Sequence, residues 1–144
     1  MRILDKIVNH LKIEIEILSE SVPIFELEST KGFDRKCKSL KESIQNSKSG
    51  IICEFKRRSP SNEKINYTSN IKEVVKGYEK AGAVGVSILT NKKFFDGSGV
   101  DIINVRDSLN IPVLKKEFII SEYTANGSGS LSSNTTGSKI GAQS

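Results

Sequence analysis

Three short apolar runs, set about thirty residues apart with amphipathic stretches between them, limit this chain more than any other feature. That interval is what a strand, a crossover helix and a return to a parallel strand require. The middle run, Val84-Gly85-Val86-Ser87-Ile88-Leu89-Thr90, is almost continuously apolar, as expected of a parallel strand covered on both faces. The first, Ile51-Ile52-Cys53-Glu54-Phe55-Lys56, mixes apolar and charged residues. Side chains alternate along a strand, so Ile51, Cys53 and Phe55 share one face while Ile52, Glu54 and Lys56 share the other. The third, Pro112-Val113-Leu114-Lys115-Lys116, also ends in charge, and the same alternation groups Leu114 with Lys116.

The intervening stretches read as helices. Asn70 can cap one over 70–81, with Glu73 completing a capping box and Ile71, Val74, Val75, Tyr78 and Ala81 forming its apolar stripe before Gly82 ends it. Ser98 can cap the next, with Asp101 at the third position and Ile102, Val105 and Leu109 as its inner side. Strand, helix, strand, helix, strand predicts an α/β fold: parallel strands in the order 1-2-3, right-handed crossovers, both helices on one outer face. Ahead of it, Ile3, Leu4, Ile7, Val8, Leu11, Ile15 and Leu18 fall at helical spacing, with Pro23 as a stop. A weaker helix is expected over 34–46, with Cys37, Leu40 and Ile44 inward. From Thr124 the composition turns to Gly, Ser, Thr and Asn, which predicts a flexible tail that cannot offset its own ordering entropy. The expected organisation is a helical N-terminal extension over 1–48, the strand–helix units over 49–123 and the Gly/Ser-rich tail over 124–144.

Composition narrows the function classes. The 144 residues include 36% hydrophobic and 27% charged side chains, which suits a soluble domain whose apolar share is diluted by the tail. The net charge of +5 is spread over lysines that sit near glutamates, without a basic run interleaved with aromatics. Small anions are therefore expected as partners, and nucleic acid is not. Cys37 and Cys53 lack metal-ligand spacing and read as buried reduced thiols, hence a cytoplasmic setting. The N-terminal stretch has no signal-peptide core, and no apolar run is long enough to cross a membrane, so no membrane partner is expected. With His10 as the single histidine, a histidine-based triad or histidine-rich metal site is excluded, and no metal site is expected.

Several motifs together carry a resemblance. Glu54-Phe55-Lys56-Arg57-Arg58-Ser59-Pro60-Ser61, Tyr78-Glu79-Lys80-Ala81-Gly82-Ala83, Ser87-Ile88-Leu89-Thr90 with Phe94-Phe95-Asp96-Gly97-Ser98, and Ile111-Pro112-Val113-Leu114-Lys115-Lys116-Glu117-Phe118-Ile119-Ile120 stand in order. The chain from Met1 to Tyr123 resembles indole-3-glycerol phosphate synthase, with Ile3 to Val8 and Val22-Pro23 similar to that family's helical extension. The resemblance implies a TIM-type (βα)8 barrel, of which only the first three βα units are present; such barrels take about 250 residues.

The implied reaction is a carbon–carbon lyase step without metal or organic cofactor: 1-(2-carboxyphenylamino)-1-deoxyribulose 5-phosphate, a phosphorylated anthranilate-derived small molecule, loses carbon dioxide and water to close the indole ring. By motif position Lys116 is implied as the general acid, Lys56 as the cation for an anionic substrate group, and Glu54 as the carboxylate beside the lysines. Ser59 is implied on the phosphate side and Phe95 against the substrate ring. Such a ring closure needs an acid for the carbonyl oxygen, a cation for the carboxylate and an apolar slot for the ring. Glu117 replaces the aspartate usual in the family. Arg57, Arg58, Lys92, Lys93 and Lys115 read as surface charge. Without strands four to eight and their phosphate cradle, the chain is expected to be a truncated, inactive form of the enzyme. The alternative is a non-catalytic barrel remnant serving as an interaction module.

Overall fold

The computed structural model describes residues 2–30, 33–34 and 36–130. Its centre is a parallel sheet of three strands, β1 (Ile52–Phe55), β2 (Gly85–Leu89) and β3 (Val113–Lys116), in the order β1-β2-β3. Both ladders are parallel, with Glu54 opposite Ser87 and Leu89 opposite Lys116. The architecture is the α/β arrangement expected from the apolar period, three βα units of a barrel that does not close among the described residues.

One face of the sheet makes the core. Phe55, Val86, Ile88 and Val113 pack against Val75 of α4 (Ile71–Lys80) and against Ile102 and Val105 of α6 (Gly99–Arg106). The helices form where their caps say they should: Asn70 Oδ1 accepts the Lys72 and Glu73 amides, and Ser98 Oγ accepts the Val100 amide. β2 is buried along its whole length. Its second face is covered at the lower end by α3 (Leu40–Gln45), whose Leu40 lies against Gly85 and whose Ser43 hydroxyl donates to the Val84 carbonyl at 2.6 Å.

The N-terminal segment folds as α1 (Ile3–Ser21) and the short α2 (Ile24–Glu28) around Pro23. The helix expected over 34–46 is confined to α3, because Ser39 caps it by accepting the Glu42 amide and Lys38 is drawn to the Leu109 carbonyl at 2.9 Å. Cys37 is exposed rather than buried, since it precedes the helix that was to turn it inward; Cys53 is half-buried, and neither forms a disulfide. At the other end the chain forms α7 (Glu122–Ser130), so the first residues of the stretch expected to be a flexible tail are helical. Here tertiary contact overrides composition: α7 packs against α2 and α1, and the Tyr123 hydroxyl donates to the Val22 and Leu18 carbonyls at 2.9 and 3.1 Å. The rest of that stretch, 131–144, lies outside the described residues.

Stability should follow this division of faces. Ile88→Ala, at a fully buried position, is expected to lower the unfolding free energy by about 2–5 kcal/mol. Ile103→Ala, on the exposed side of α6 at 43% exposure, should stay within about 0.5 kcal/mol. Equilibrium urea denaturation of both variants measures the difference.

Candidate active site

At the C-terminal ends of the strands lies a cleft of about 300 Å³ lined by Glu54, Lys56, Leu89, Asn91, Phe95, Lys116, Glu117 and Phe118. The parallel register creates it. Glu54 and Ser87 are paired, as are Leu89 and Lys116, so the inward residues of all three strands stack on one side of the sheet, opposite α4 and α6. Lys56 follows immediately after β1.

The Glu54 carboxylate binds both lysines: Oε1 accepts Lys56 Nζ at 3.0 Å, and Oε2 accepts Lys116 Nζ at 2.5 Å. Burial pushes the Glu54 carboxyl up, but hydrogen bonds from Lys116 and Lys56, together with their charges, outweigh it and hold the group below its ordinary value. The arrangement therefore keeps a carboxylate and two ammonium groups together at one mouth, beside an apolar wall of Leu89, Phe95 and Phe118.

Phe95 is brought in by α5 (Lys92–Phe95), a single helical turn after β2 that the sequence did not announce. Asn91 caps it by accepting the Phe94 amide at 3.0 Å. The turn ends at Asp96 in the left-handed region, and Gly97 then passes so close beneath the end of β2 that a Cβ would overlap the Leu89 carbonyl.

Of the residues singled out from the sequence, the cleft unites Glu54, Lys56, Lys116 and Phe95. It does not include Ser59, whose hydroxyl accepts the Asn62 amide at 3.1 Å within its own turn. Three residues read as surface charge are engaged instead. Arg57 forms a two-pronged pair with Asp101 at 2.6 and 2.9 Å and stacks over the Phe55 ring, its guanidinium carbon 5.3 Å from the ring centroid; the Asp101 hydrogen bonds raise its pKa. Arg58 donates to the Lys93 carbonyl. Lys115 faces away from the cleft into the sheet's covered side, where burial lowers its pKa and Glu117 partly restores it. Arg57 and Arg58 lie in the loop after β1, beyond the reach of alternation within a strand, whereas Lys115 takes the face of β3 opposite Lys116, as alternation assigns.

Asn91, Glu117 and Phe118 are the lining residues that sequence reasoning did not select. Their signal is position alone, one or two residues past the end of a strand.

Three parallel βα units with lysines and a carboxylate at the C-terminal mouth have the arrangement of a segment of a (βα)8 barrel, whose sites are built from the loops at that end. The comparisons make the class particular. The family model for indole-3-glycerol phosphate synthase matches residues 4–135, and the chain belongs to that family. It is 39% identical over 121 residues to the indole-3-glycerol phosphate synthase of Bacteroides thetaiotaomicron, covering 84% of this chain and 46% of that protein. To a Bacillus cereus enzyme of the same name it is 44% identical over 119 residues, 82% of this chain and 44% of the relative. The same description in Bacillus anthracis applies at 41% identity over 119 residues. The chain thus spans about half the length of the curated relatives it matches.

The depressed Glu54 pKa fixes a pH effect. The carboxylate is favoured in the folded state, so its contribution is full above the unfolded value of about 4.3 and disappears as pH falls through the lower folded value. Glu54→Gln should therefore lower the urea midpoint at pH 7, and the gap from wild type should narrow as the pH is taken from 5 towards 3. A gap that stays constant across that range would contradict the ion-pair assignment.

Proposed function

We propose that these strand ends supply the acid and anion-binding half of an indole-3-glycerol phosphate synthase site, acting on 1-(2-carboxyphenylamino)-1-deoxyribulose 5-phosphate in tryptophan biosynthesis. The observation that carries the reading is the Glu54 carboxylate set between Lys56 and Lys116 against an apolar wall. Closing the indole ring joins the ring carbon that bears the carboxylate to the ketose carbonyl carbon; carbon dioxide then leaves that ring carbon and water leaves the former carbonyl carbon. Lys116 protonates the carbonyl oxygen as the new bond forms, a role that calls for a charged donor within hydrogen-bond reach. Lys56 holds the substrate carboxylate until it is lost. Glu54 keeps the two ammonium groups together and oriented. Phe95 lies against the anthranilate ring, with Phe118 as a further apolar surface. Ser59, in the loop after β1, serves the phosphate side once its hydroxyl turns from Asn62.

We also propose that the 144-residue chain does not turn over by itself. β1 and β3 each pair on one side only among the described residues, Ile51 and Ile52 are exposed beside the first edge, and the Lys116 side chain is 54% exposed. A proton donor competing with bulk water loses most of the leverage that a closed, preorganised site gives it. Supplying the remaining five βα units would complete the cover and the phosphate cradle.

Indole-glycerol phosphate fluorescence, followed on the purified chain with and without a polypeptide carrying βα units four to eight of a relative, is the test. Turnover is expected only in the mixture, and Lys116→Ala there should lower kcat by about 10²–10⁴ with little change in KM. Turnover by the chain alone would overturn the inactivity, and an assembled but inert mixture would overturn the functional reading.

A further inference from the structure

Glu117 lines the same cleft as Lys116 but engages neither cleft lysine among the described hydrogen bonds and ion pairs. Its carboxylate accepts three neutral donors: the Thr90 hydroxyl at 3.1 Å, the Asn91 side-chain amide at 3.2 Å and the Phe118 backbone amide at 3.0 Å. Thr90 and Asn91 are buried, at 8% and 4% exposure. Asn91 is the joint of the arrangement. Its Nδ2 donates to Glu117 on β3's side, its Oδ1 caps α5 through the Phe94 amide, and its own carbonyl accepts Phe95 and Gly97 amides at 3.3 and 3.0 Å. The orientation of α5, and with it the direction of Phe95, is thus referred through Asn91 to a carboxylate on the neighbouring strand end.

We propose that Glu117 is a positioning residue for Phe95, acting through Asn91 to hold α5 so that the aromatic ring faces the cleft. It rests on the functional reading only in assigning Phe95 to a substrate ring. The chemistry ranks the substitutions. Ala removes all three acceptor bonds and leaves the buried Asn91 amide without its partner, a costly state for a buried donor. Gln keeps the length and an oxygen for the Asn91 and Phe118 donors, while its amide can donate to the Thr90 hydroxyl, which is able to accept. Asn91→Asp keeps the cap on Phe94 but replaces the donor facing Glu117 with a second carboxylate.

Amide exchange by NMR in the whole chain reads the effect locally. Glu117→Ala and Asn91→Asp are expected to speed exchange at Phe94, Phe95 and Gly97 at least about tenfold relative to Val86 and Ile88 in β2, since a local opening lowers protection only where it occurs. Glu117→Gln should stay within about threefold of wild type. In the assembly with the complementary βα units, Glu117→Ala should raise KM about tenfold while kcat changes by less than about threefold, the pattern of lost binding rather than lost acid catalysis. Equal acceleration at β2 and α5 would overturn the proposal by reducing Glu117 to a general structural role. So would Gln behaving as Ala, or a fall in kcat at constant KM. An assembly that is inert even with wild-type sequence overturns the functional reading and leaves the exchange measurement to decide the role of Glu117.

Discussion

Burial of β2 on both faces is the constraint from which the rest of the structure follows. A strand with Val86 and Ile88 on one side and Gly85, Ser87 and Leu89 on the other, all inaccessible, needs partners in both directions. α4 and α6 supply one side with Val75, Ile102 and Val105. On the other, Leu40 from the N-terminal extension closes over Gly85, a position with no Cβ to obstruct it. The extension is therefore part of the sheet's cover. Lys38 and Ser43, bonded to the Leu109 and Val84 carbonyls, tie it across the lower ends of the strands.

With the lower end closed in this way, the chemistry is left at the upper end. Lys56 and Lys116 come from strands that are not neighbours, separated by β2, and the Glu54 carboxylate spans the gap between them. Coulomb attraction between exposed groups is weak when single pairs are considered. Here one carboxylate serves two cations, and the sheet register fixes its carrier, so less side-chain freedom is lost in forming the cluster. Around it the loops are joined by polar links of different strength. Arg57 and Asp101 form a charged two-pronged bond that attaches the β1 loop to α6, and Glu117 forms neutral-donor bonds that attach the end of β3 to α5. The first fixes a loop outside the cleft; the second bears directly on a residue that lines it.

The strands, their parallel order and the helices α4 and α6 were legible because they depend on local periodicity and on caps, Asn70 and Ser98, that bond within their own turn. Glu54, Lys56 and Lys116 could be grouped for a similar reason: alternation assigns a face before any tertiary structure exists. α5 was not legible, since a single turn has no measurable period, and α7 was masked by a Gly- and Ser-rich composition that favours disorder in isolation. Packing on α2 and the Tyr123 bonds to the end of α1 outweigh that preference.

Local pattern alone assigns which residues form strands, which face each strand residue takes and which family motifs they compose. These depend on neighbours within a few positions. It took the packed fold to commit Arg57 to Asp101 and to bring Asn91 and Glu117 together across 26 steps of chain. Each of these depends on where one strand end stops relative to the next. That is set by register and loop packing, for which no local pattern in the sequence carries a record.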